Sequence, residues 1–301
     1  MSGIAGIIYP DMFRTHSLIK NMLKLLKHRN ANSPEIYQYK NVEMGIRGPS
    51  LSTNKQNDLC VLIDGEIYNQ KEIFKELEKM GYQDKEQSSS ALIIHAYEAW
   101  GKEFIQKIDG DFAIALFDQK ASVLYLFRDR MGKKPLYWSH HGEYFFFASE
   151  LKSLLSTGLI PQSPSHYALA SYLYLGYIPQ DMTPINNINK LLAGYYLTFN
   201  LNGCLQVKPY WSYSSCFSQK STENEDDICT HLDNALKKSV KKMLPSREED
   251  LSCIIGGGLG SAGIAHYLSQ EHPSKHIHLV SSYFDKENED DHSTCQTISR
   301  S

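Results

Sequence analysis

The first residues of the chain carry the two groups that an N-terminal nucleophile needs. The sequence begins Met1-Ser2-Gly3-Ile4, and an apolar run follows directly. Removal of Met1 ahead of a small second residue would leave Ser2 with a hydroxyl and an α-amine on one residue. In enzymes of this kind the amine serves as the base for the side chain beside it. The sequence therefore predicts a candidate nucleophile at Ser2, at the start of a strand.

A glycine-rich segment late in the chain is a second candidate site. It reads Gly256-Gly257-Gly258-Leu259-Gly260-Ser261 and lies between a predicted strand and a predicted helix. Backbone N–H groups at such a turn, ahead of a helix N-terminus, bind anions such as phosphates. A glycine-rich turn by itself is weak evidence for a nucleotide. The segment contains no carboxylate that would hold a metal ion, and we predict no metal site.

Short apolar strands and amphipathic helices are predicted around these segments. The run Leu59-Cys60-Val61-Leu62-Ile63 predicts a buried strand that ends in a turn at Asp64-Gly65. Further strands are predicted at 111–118, 123–129 and 144–148, and helices at 17–27, 72–81, 91–100 and 150–156. Continuous apolar strands with helices between them indicate sheets that are covered on both faces.

The character of the sequence changes after Trp211. Residues 212–227 are rich in Ser, Gln, Glu and Asp, which is typical of an exposed linker. Beyond it we predict a βαβ unit, the start of a nucleotide-binding type of sheet. Its predicted elements are a helix at 228–243, a strand at 251–255, a helix at 262–270 and a strand at 276–282. The predicted domains are therefore 1–211, a linker at 212–227, and a partial α/β fragment at 228–301.

Composition narrows the range of functions. The 301 residues carry a formal net charge of −3, without a basic bias that would favour nucleic acid or acidic lipid. The six cysteines lie far apart with no Cys-x-x-Cys pair, which argues against a zinc site or a disulfide framework. Neither a membrane-spanning apolar run nor a secretory signal is found, so we expect a cytoplasmic protein.

Several motifs follow one another in the order found in a known family. They are Met1-Ser2-Gly3-Ile4, Lys27-His28-Arg29, Arg47, Asp64-Gly65-Glu66-Ile67-Tyr68-Asn69, Asp109-Gly110-Asp111-Phe112-Ala113, the segment 128–137, the segment 148–152, the segment 175–179 and Tyr210-Trp211. The order resembles that of glutamine-hydrolysing asparagine synthetases, over nearly the whole chain. Those enzymes join a class II glutamine amidotransferase domain to an ATP-pyrophosphatase domain.

The resemblance implies an α+β fold and a reaction. The expected fold is that of the N-terminal nucleophile hydrolases, αββα, with two antiparallel sheets stacked between helices. An incomplete ATP-pyrophosphatase-like α/β unit would follow it. In the family an N-terminal cysteine releases ammonia from glutamine, and the second domain uses ATP and magnesium to activate aspartate. That second domain is longer than the part represented before Ser301, so we expect this chain alone not to be a full synthetase.

Four positions depart from the family pattern where chemistry takes place. Ser2 replaces the nucleophilic cysteine, and a hydroxyl depends more heavily on its base than a thiol does. Asp64 replaces an asparagine whose amide stabilises the oxyanion, and Ser89 replaces an aspartate that binds the substrate α-amine. Gly260 replaces the aspartate that helps to hold magnesium. We therefore expect no cofactor here, and ATP binding by the loop is doubtful.

Two charged positions match the substrate pocket of the family. The resemblance places Arg47 where the family grips the substrate carboxylate. It places Glu66 beside the substrate, and Gly65, the preceding residue, at another substrate-binding position. Each of these two charged residues could equally take part in an ordinary surface or interdomain ion pair. Both interpretations stay open for Arg47 and for Glu66. In contrast, the family's His-Arg-Gly-Pro-Asp loop is lost here, because residues 28–32 read His-Arg-Asn-Ala-Asn.

Three functions are consistent with these residues. The favoured one is a catalytically lapsed member of the family that binds a ligand, such as glutamine or a related amide, or a protein partner. The second is an amidohydrolase that uses Ser2 as nucleophile. The third is the glutaminase side of a synthetase that is split between two polypeptides. A homo-oligomer is also compatible with the sequence, whereas no nucleic-acid or membrane partner is expected.

Overall fold

The computed structural model describes residues 2–10, 17–49, 51–54, 56–82, 88–217, 221–244, 251–271, 276–282 and 289–300. Met1 and Ser301, both named above, lie outside these ranges. The chain divides into two compact units, Met1–Ser218 and Gln219–Ser301. The domain limits drawn from the sequence stay a prediction. No helix in the described ranges is long and apolar enough to cross a membrane.

The described strands and helices follow one another in this order. The strands are β1 (Gly3–Ile8), β2 (Glu35–Tyr39), β3 (Val42–Arg47), β4 (Leu51–Thr53), β5 (Leu59–Ile67), β6 (Gly110–Asp118), β7 (Val123–Arg128), β8 (Tyr137–His141), β9 (Tyr144–Ala148), β10 (Asn189–Lys190), β11 (Tyr195–Asn200), β12 (Leu205–Pro209), β13 (Leu251–Ile254) and β14 (Ile277–Val280). The α-helices are α1 (Ser17–Lys24), α2 (Gln70–Lys79), α3 (Ser89–Trp100), α4 (Leu151–Leu155), α5 (His166–Leu175), α6 (Glu225–Met243), α7 (Leu259–Glu271) and α8 (Glu289–Arg300). Short 3-10 helices lie at Gly101–Gln106 and Tyr213–Phe217.

The first unit is built from two six-stranded sheets. One has the strand order β10-β8-β9-β1-β3-β2, and the other β12-β11-β7-β6-β5-β4. Every described strand pair in both sheets is antiparallel. This arrangement confirms the α+β class and the stacked antiparallel sheets expected from the sequence.

Because side chains alternate between the two faces of each sheet, the first unit has three apolar cores. One core lies between the sheets and takes side chains from both, such as Ile4 of β1 and Leu62 of β5. The opposite face of the first sheet packs against α1 and α4. The opposite face of the second sheet packs against α2 and α3. The layers therefore run helix, sheet, sheet, helix.

One strand differs from its prediction in a way that matters for the site. The predicted turn at Asp64-Gly65 is wrong, because β5 continues to Ile67 and pairs with β6 along its whole length. Gly65 pairs with Phe112 at a φ of 139°, a conformation that side chains rarely adopt. A Cβ there would lie 1.9 Å from the carbonyl oxygen of Asp111. The glycine thus allows close approach of two strands and does not end one.

The segment after β7, the most specific part of the family resemblance, is held together by buried charges. The carboxylate of Asp129 accepts hydrogen bonds from the backbone N–H groups of Met131, Lys133 and Lys134 at 3.0 Å. The guanidinium of Arg128 donates to backbone carbonyls in the same segment. The motif therefore has a structural role, and it fixes the loop that carries Lys134.

The second unit begins with α6 and contains one parallel strand pair. Helix α6 starts three residues earlier than predicted, because Asn224 accepts from the N–H of Asp227 and acidic residues fill the first turn. Residues 225–227 of the predicted linker are therefore helical. Strands β13 and β14 are parallel, with α7 between them along the chain, which confirms the predicted βαβ order.

Candidate functional site

The alternation of side chains brings Ser2 and Asp64 to the same space. On β1, Ile4 faces the core between the sheets, and Ser2 is two residues earlier along the chain. On β5, Cys60 and Leu62 face the same core, and Asp64 is the next residue in that series. Because the side-chain period of a strand is two residues, both positions point between the sheets. They meet where β1 begins.

Hydrogen bonds join Ser2, Asp64 and Arg29 into what we call the Ser2 cluster. The backbone N–H of Ser2 donates to Oδ1 of Asp64 over 3.2 Å. Arg29 donates from Nη2 to Oδ2 of Asp64 over 2.6 Å, and from Nε to the carbonyl oxygen of Ser2 over 2.7 Å. The side chain of Asp64 is fully buried and that of Arg29 is 10% exposed. A charged carboxylate and a guanidinium therefore hold the main chain of Ser2 from both sides.

The electrostatics of Asp64 follow from opposed effects. Burial raises the pKa of the Asp64 carboxyl, while Arg29, Lys134 and the hydrogen bond from Ser2 oppose that rise. Both carboxylate oxygens accept from nitrogen donors, and one of those donors is a guanidinium that stays charged. We therefore take Asp64 to be ionised at neutral pH. An ionised carboxylate has no hydrogen to donate to an oxyanion.

A second carboxylate continues the cluster toward solvent. Glu150 lies 3.4 Å from Nη1 of Arg29, and it also binds His28 at 2.8 Å and Lys152 at 3.1 Å. Burial pushes the pKa of Glu150 upward, but hydrogen bonds from Lys152 and His28 outweigh it, so the pKa is lowered. Arg29 is thus placed between two acidic groups.

Gly48 leaves room for the hydroxyl of Ser2. Its φ is 139°, and a Cβ at this position would lie 2.4 Å from Ser2 Oγ. Ser149 supports the other side, where its hydroxyl accepts from the N–H of Ile4 at 3.0 Å and lies 3.5 Å from Asp64 Oδ2. The backbone around the candidate nucleophile is therefore closely fitted.

Arg47 lies on a different face of the first sheet. Its Cα pairs with that of Gly3, but its side chain follows the alternation of Gly45, which faces Leu23. The guanidinium donates to the carbonyl oxygens of Leu23 at 2.5 Å and Asn32 at 2.6 Å. In this arrangement it supports the segment after α1. Its role toward a substrate carboxylate stays a prediction.

Glu66 and Ser89 also lie apart from the Ser2 cluster. Glu66 is exposed, near the end of β5 and two residues beyond Asp64. Ser89 is the first residue of α3, and its hydroxyl accepts from Gln70 Nε2 at 2.9 Å. Among the described hydrogen bonds, neither side chain bonds to the cluster. The predicted pocket roles of both residues remain untested.

The glycine-rich segment of the second unit differs from its prediction. It is not a turn throughout, because α7 begins at Leu259 and includes Gly260 and Ser261. The hydroxyl of Ser261 is bonded within the segment, to the N–H of Gly256 at 3.3 Å and the carbonyl of Gly258 at 2.9 Å. The described residues contain no group of three His, Cys, Asp or Glu side chains that would hold a metal ion. These residues do not fit the magnesium that the family resemblance implies.

Arg29 belongs to the site, although the sequence predicts no role for it. It was visible within the motif Lys27-His28-Arg29, but nothing in its neighbours showed that it reaches Asp64, which is 35 residues away. The available signal is an acidic residue directly after the buried apolar run Leu59 to Ile63. A buried carboxylate requires a partner, and a nearby arginine in a matching motif is the natural one.

Comparisons with known proteins agree with this architecture. The two antiparallel sheets stacked between helices have the fold of the N-terminal nucleophile hydrolases. Glutamine phosphoribosylpyrophosphate amidotransferase from Bacillus subtilis superposes with a TM-score of 0.51 at 15% identity, covering 92% of this chain and 65% of that one. A family model described as a glutamine amidotransferase domain matches residues 1–211. The chain therefore belongs to the class II glutamine amidotransferase family.

Curated relatives include asparagine synthetases. Glutamine-hydrolysing asparagine synthetase 3 of Bacillus subtilis is 29% identical over 221 residues, which are 73% of this chain and 35% of that protein. Putative asparagine synthetase 2 of Methanocaldococcus jannaschii is 25% identical over 319 residues, 95% of this chain and 60% of that protein. The chain thus spans between about a third and three fifths of the length of these two relatives.

Proposed function

We propose that this protein is an asparagine-synthetase-like glutamine amidotransferase domain whose hydrolytic chemistry has lapsed, and that it acts by binding glutamine or a related amide. The observation that carries this proposal is the buried Asp64 carboxylate, paired with Arg29 and bonded to Ser2. Family membership supports glutamine as the ligand. The lapse of catalysis is inferred from the chemistry of the altered positions.

The expected loss is large. Removing one oxyanion donor costs about 2.7–4 kcal/mol of transition-state stabilisation, or a factor of about 10²–10³ in rate. Asp64 replaces such a donor with a negative charge, which adds repulsion in a site sheltered from water. Ser2 adds a weaker nucleophile to a site that no longer stabilises the charge it would create. The two changes act on the same step.

Ammonia release is the direct test of this proposal. Protein whose N-terminus is verified by intact mass is incubated with glutamine or asparagine, and released ammonia is measured beside a Ser2→Ala variant. We expect the two rates to be equal. Wild-type release that exceeds the variant by tenfold or more would end the proposal.

Binding is measured separately by thermal shift. A ligand present at a hundred times its Kd stabilises the folded state by about 2.7 kcal/mol. For a unit of about 200 residues this corresponds to a rise in Tm of roughly 5–10 °C. We expect such a rise with glutamine, and its absence with every small amide tested would move the proposal from a ligand to a protein partner.

A Ser2-dependent amidohydrolase is the second candidate, and Gly48 favours it. A lapsed site has no need of a glycine that keeps space around Ser2 Oγ, yet a Cβ at Gly48 would collide with that atom. An amide-mimicking electrophile followed by mass spectrometry separates the two functions. A covalent adduct on the N-terminal peptide that disappears in Ser2→Ala would favour the hydrolase. The split-synthetase hypothesis stays a prediction, which co-purification of a synthetase-type chain would support.

A further inference from the structure

The nitrogen of Ser2 faces a carboxylate that is closed off from solvent. It lies 3.2 Å from Oδ1 of Asp64, whose side chain is fully buried. Arg29 occupies the other carboxylate oxygen, Oδ2, at 2.6 Å. Oδ2 therefore binds Arg29, and Oδ1 binds the nitrogen of Ser2.

We propose that Asp64 is the counter-ion of the α-ammonium group of Ser2 in the chain from which Met1 has been removed. Hydrolysis of the Met1–Ser2 peptide bond consumes one water molecule, releases methionine and leaves an α-amine that takes up a proton. The nitrogen is already within ion-pair distance of Oδ1. This inference deepens the proposed function, since it gives Asp64 a second way to silence Ser2.

Four charges at the pair balance, and Lys134 and Lys152 add two further positive ones. The α-ammonium and Arg29 carry two positive charges, and Asp64 and Glu150 carry two negative ones, with Glu150 3.4 Å from Arg29 Nη1. Four parts of the fold supply the facing groups. They are His28 and Arg29 after α1, Asp64 on β5, Lys134 after β7, and Glu150 and Lys152 at the start of α4.

The ion pair holds a proton on the amine that Ser2 would need as its base. A carboxylate beside an ammonium group in a buried site favours the charged form and so raises the pKa of the amine. Burial, Arg29 and Lys134 oppose this rise, because desolvation and neighbouring positive charge both disfavour the ammonium form. On balance we expect the pKa of the Ser2 amine to lie above that of an unpaired α-amine. At neutral pH a smaller share of the amine is then available as a base than would be without Asp64.

Competitive acylation of the N-terminal amine measures this directly. Protein is treated with trace acetic anhydride across a series of pH values, and acetylation of the N-terminal peptide is quantified by mass spectrometry. The same series is run on Asp64→Asn. Glu66→Gln is the matched control, since it removes one negative charge from an exposed position on the same strand.

The outcomes are distinct. The expected result is a wild-type midpoint above the ~8 of an unpaired α-amine, a fall in Asp64→Asn, and no comparable fall in Glu66→Gln. A wild-type midpoint at or below pH 8, or a natural chain that keeps Met1, would overturn the proposal whether or not the variant folds. Because the readout is amine reactivity, glutamine turnover by the wild type would contradict the proposed function and leave this inference standing.

Discussion

Replacing Asp64 by asparagine in a chain that also carries Ser2→Cys is the sharpest perturbation the site offers. The change returns an amide N–H to the oxyanion position, worth about 2.7–4 kcal/mol. It also removes the proposed counter-ion of the terminal amine, which leaves more of that amine unprotonated at neutral pH. We therefore expect kcat/KM for the double variant to exceed that of Ser2→Cys alone by at least about 100-fold.

Folding sets a limit on this experiment. Asparagine keeps an oxygen that accepts from Arg29, which also retains the carbonyl of Ser2 at 2.7 Å and Glu150 at 3.4 Å. The lost charge–charge attraction is partly offset because a buried ion no longer has to be desolvated. We expect a net loss of about 1–3 kcal/mol in the free energy of unfolding. A domain of ordinary stability remains folded at that cost.

The assay follows hydrolysis of glutamic acid γ-(4-nitroanilide), whose good leaving group makes slow acylation visible. Both variants share the same altered loop and the same Ser89, so the ratio of their rates isolates position 64. Asp64→Asn combined with Ser2→Ala supplies the background without a nucleophile. Equal rates for Ser2→Cys with and without the change at Asp64 would refute the electrostatic reasoning, provided that both proteins show cooperative unfolding.

The remaining predictions concern stability and its pH dependence. Gly65→Ala should lower the free energy of unfolding in urea by about 3 kcal/mol or more, because a Cβ would meet a backbone carbonyl at 1.9 Å. Gly142→Ala is the control, since a Cβ there meets nothing within 4 Å, and it should cost about 1 kcal/mol. Equal costs would contradict the packing argument. Burial raises the pKa of the Asp64 carboxyl, so the native state holds the carboxyl proton to higher pH than the unfolded chain does. The free energy of unfolding of the wild type should therefore fall relative to that of Asp64→Asn as the pH rises from about 4. A relative gain over that range would show that the charge of Arg29 outweighs burial. Arg47→Lys should cost about 2 kcal/mol through its two carbonyl partners; a reduced glutamine-induced thermal shift at unchanged stability would instead assign it to the ligand.

Much of the first unit follows from local pattern. Apolar runs such as Tyr144–Ala148 give a strand in the place predicted for it, and the helix predicted at 91–100 differs from α3 by two residues at its start. These elements were accessible because each depends on its own periodicity and on nearby caps, such as Ser88 at the start of α3.

What the sequence did not show depends on contacts between distant segments. Asp64-Gly65 has the composition of a turn, yet the neighbouring β6 holds it in a strand through Ala113 and Phe112. The partner of Asp64 could not be found from its neighbours in the chain, because Arg29 lies 35 residues earlier, after α1. The predicted arginine, Arg47, was assigned by motif position, whereas the alternation of β3 turns it toward α1.

In the proposed function, the position of Asp64 is what lets one residue decide between turnover and binding. A strand that faces the core between two sheets excludes water, so any charge placed there acts over a short distance at low dielectric. An amide at this place donates to whatever charge develops on a substrate; a carboxylate instead attracts the cations that the fold already holds nearby. Arg29 is one such cation, and the proposed α-ammonium group of Ser2 is the other. Both are also groups on which the nucleophile depends for position and for its base. The substitution therefore stabilises the resting arrangement of the N-terminal residue and destabilises the charged intermediate that residue would form.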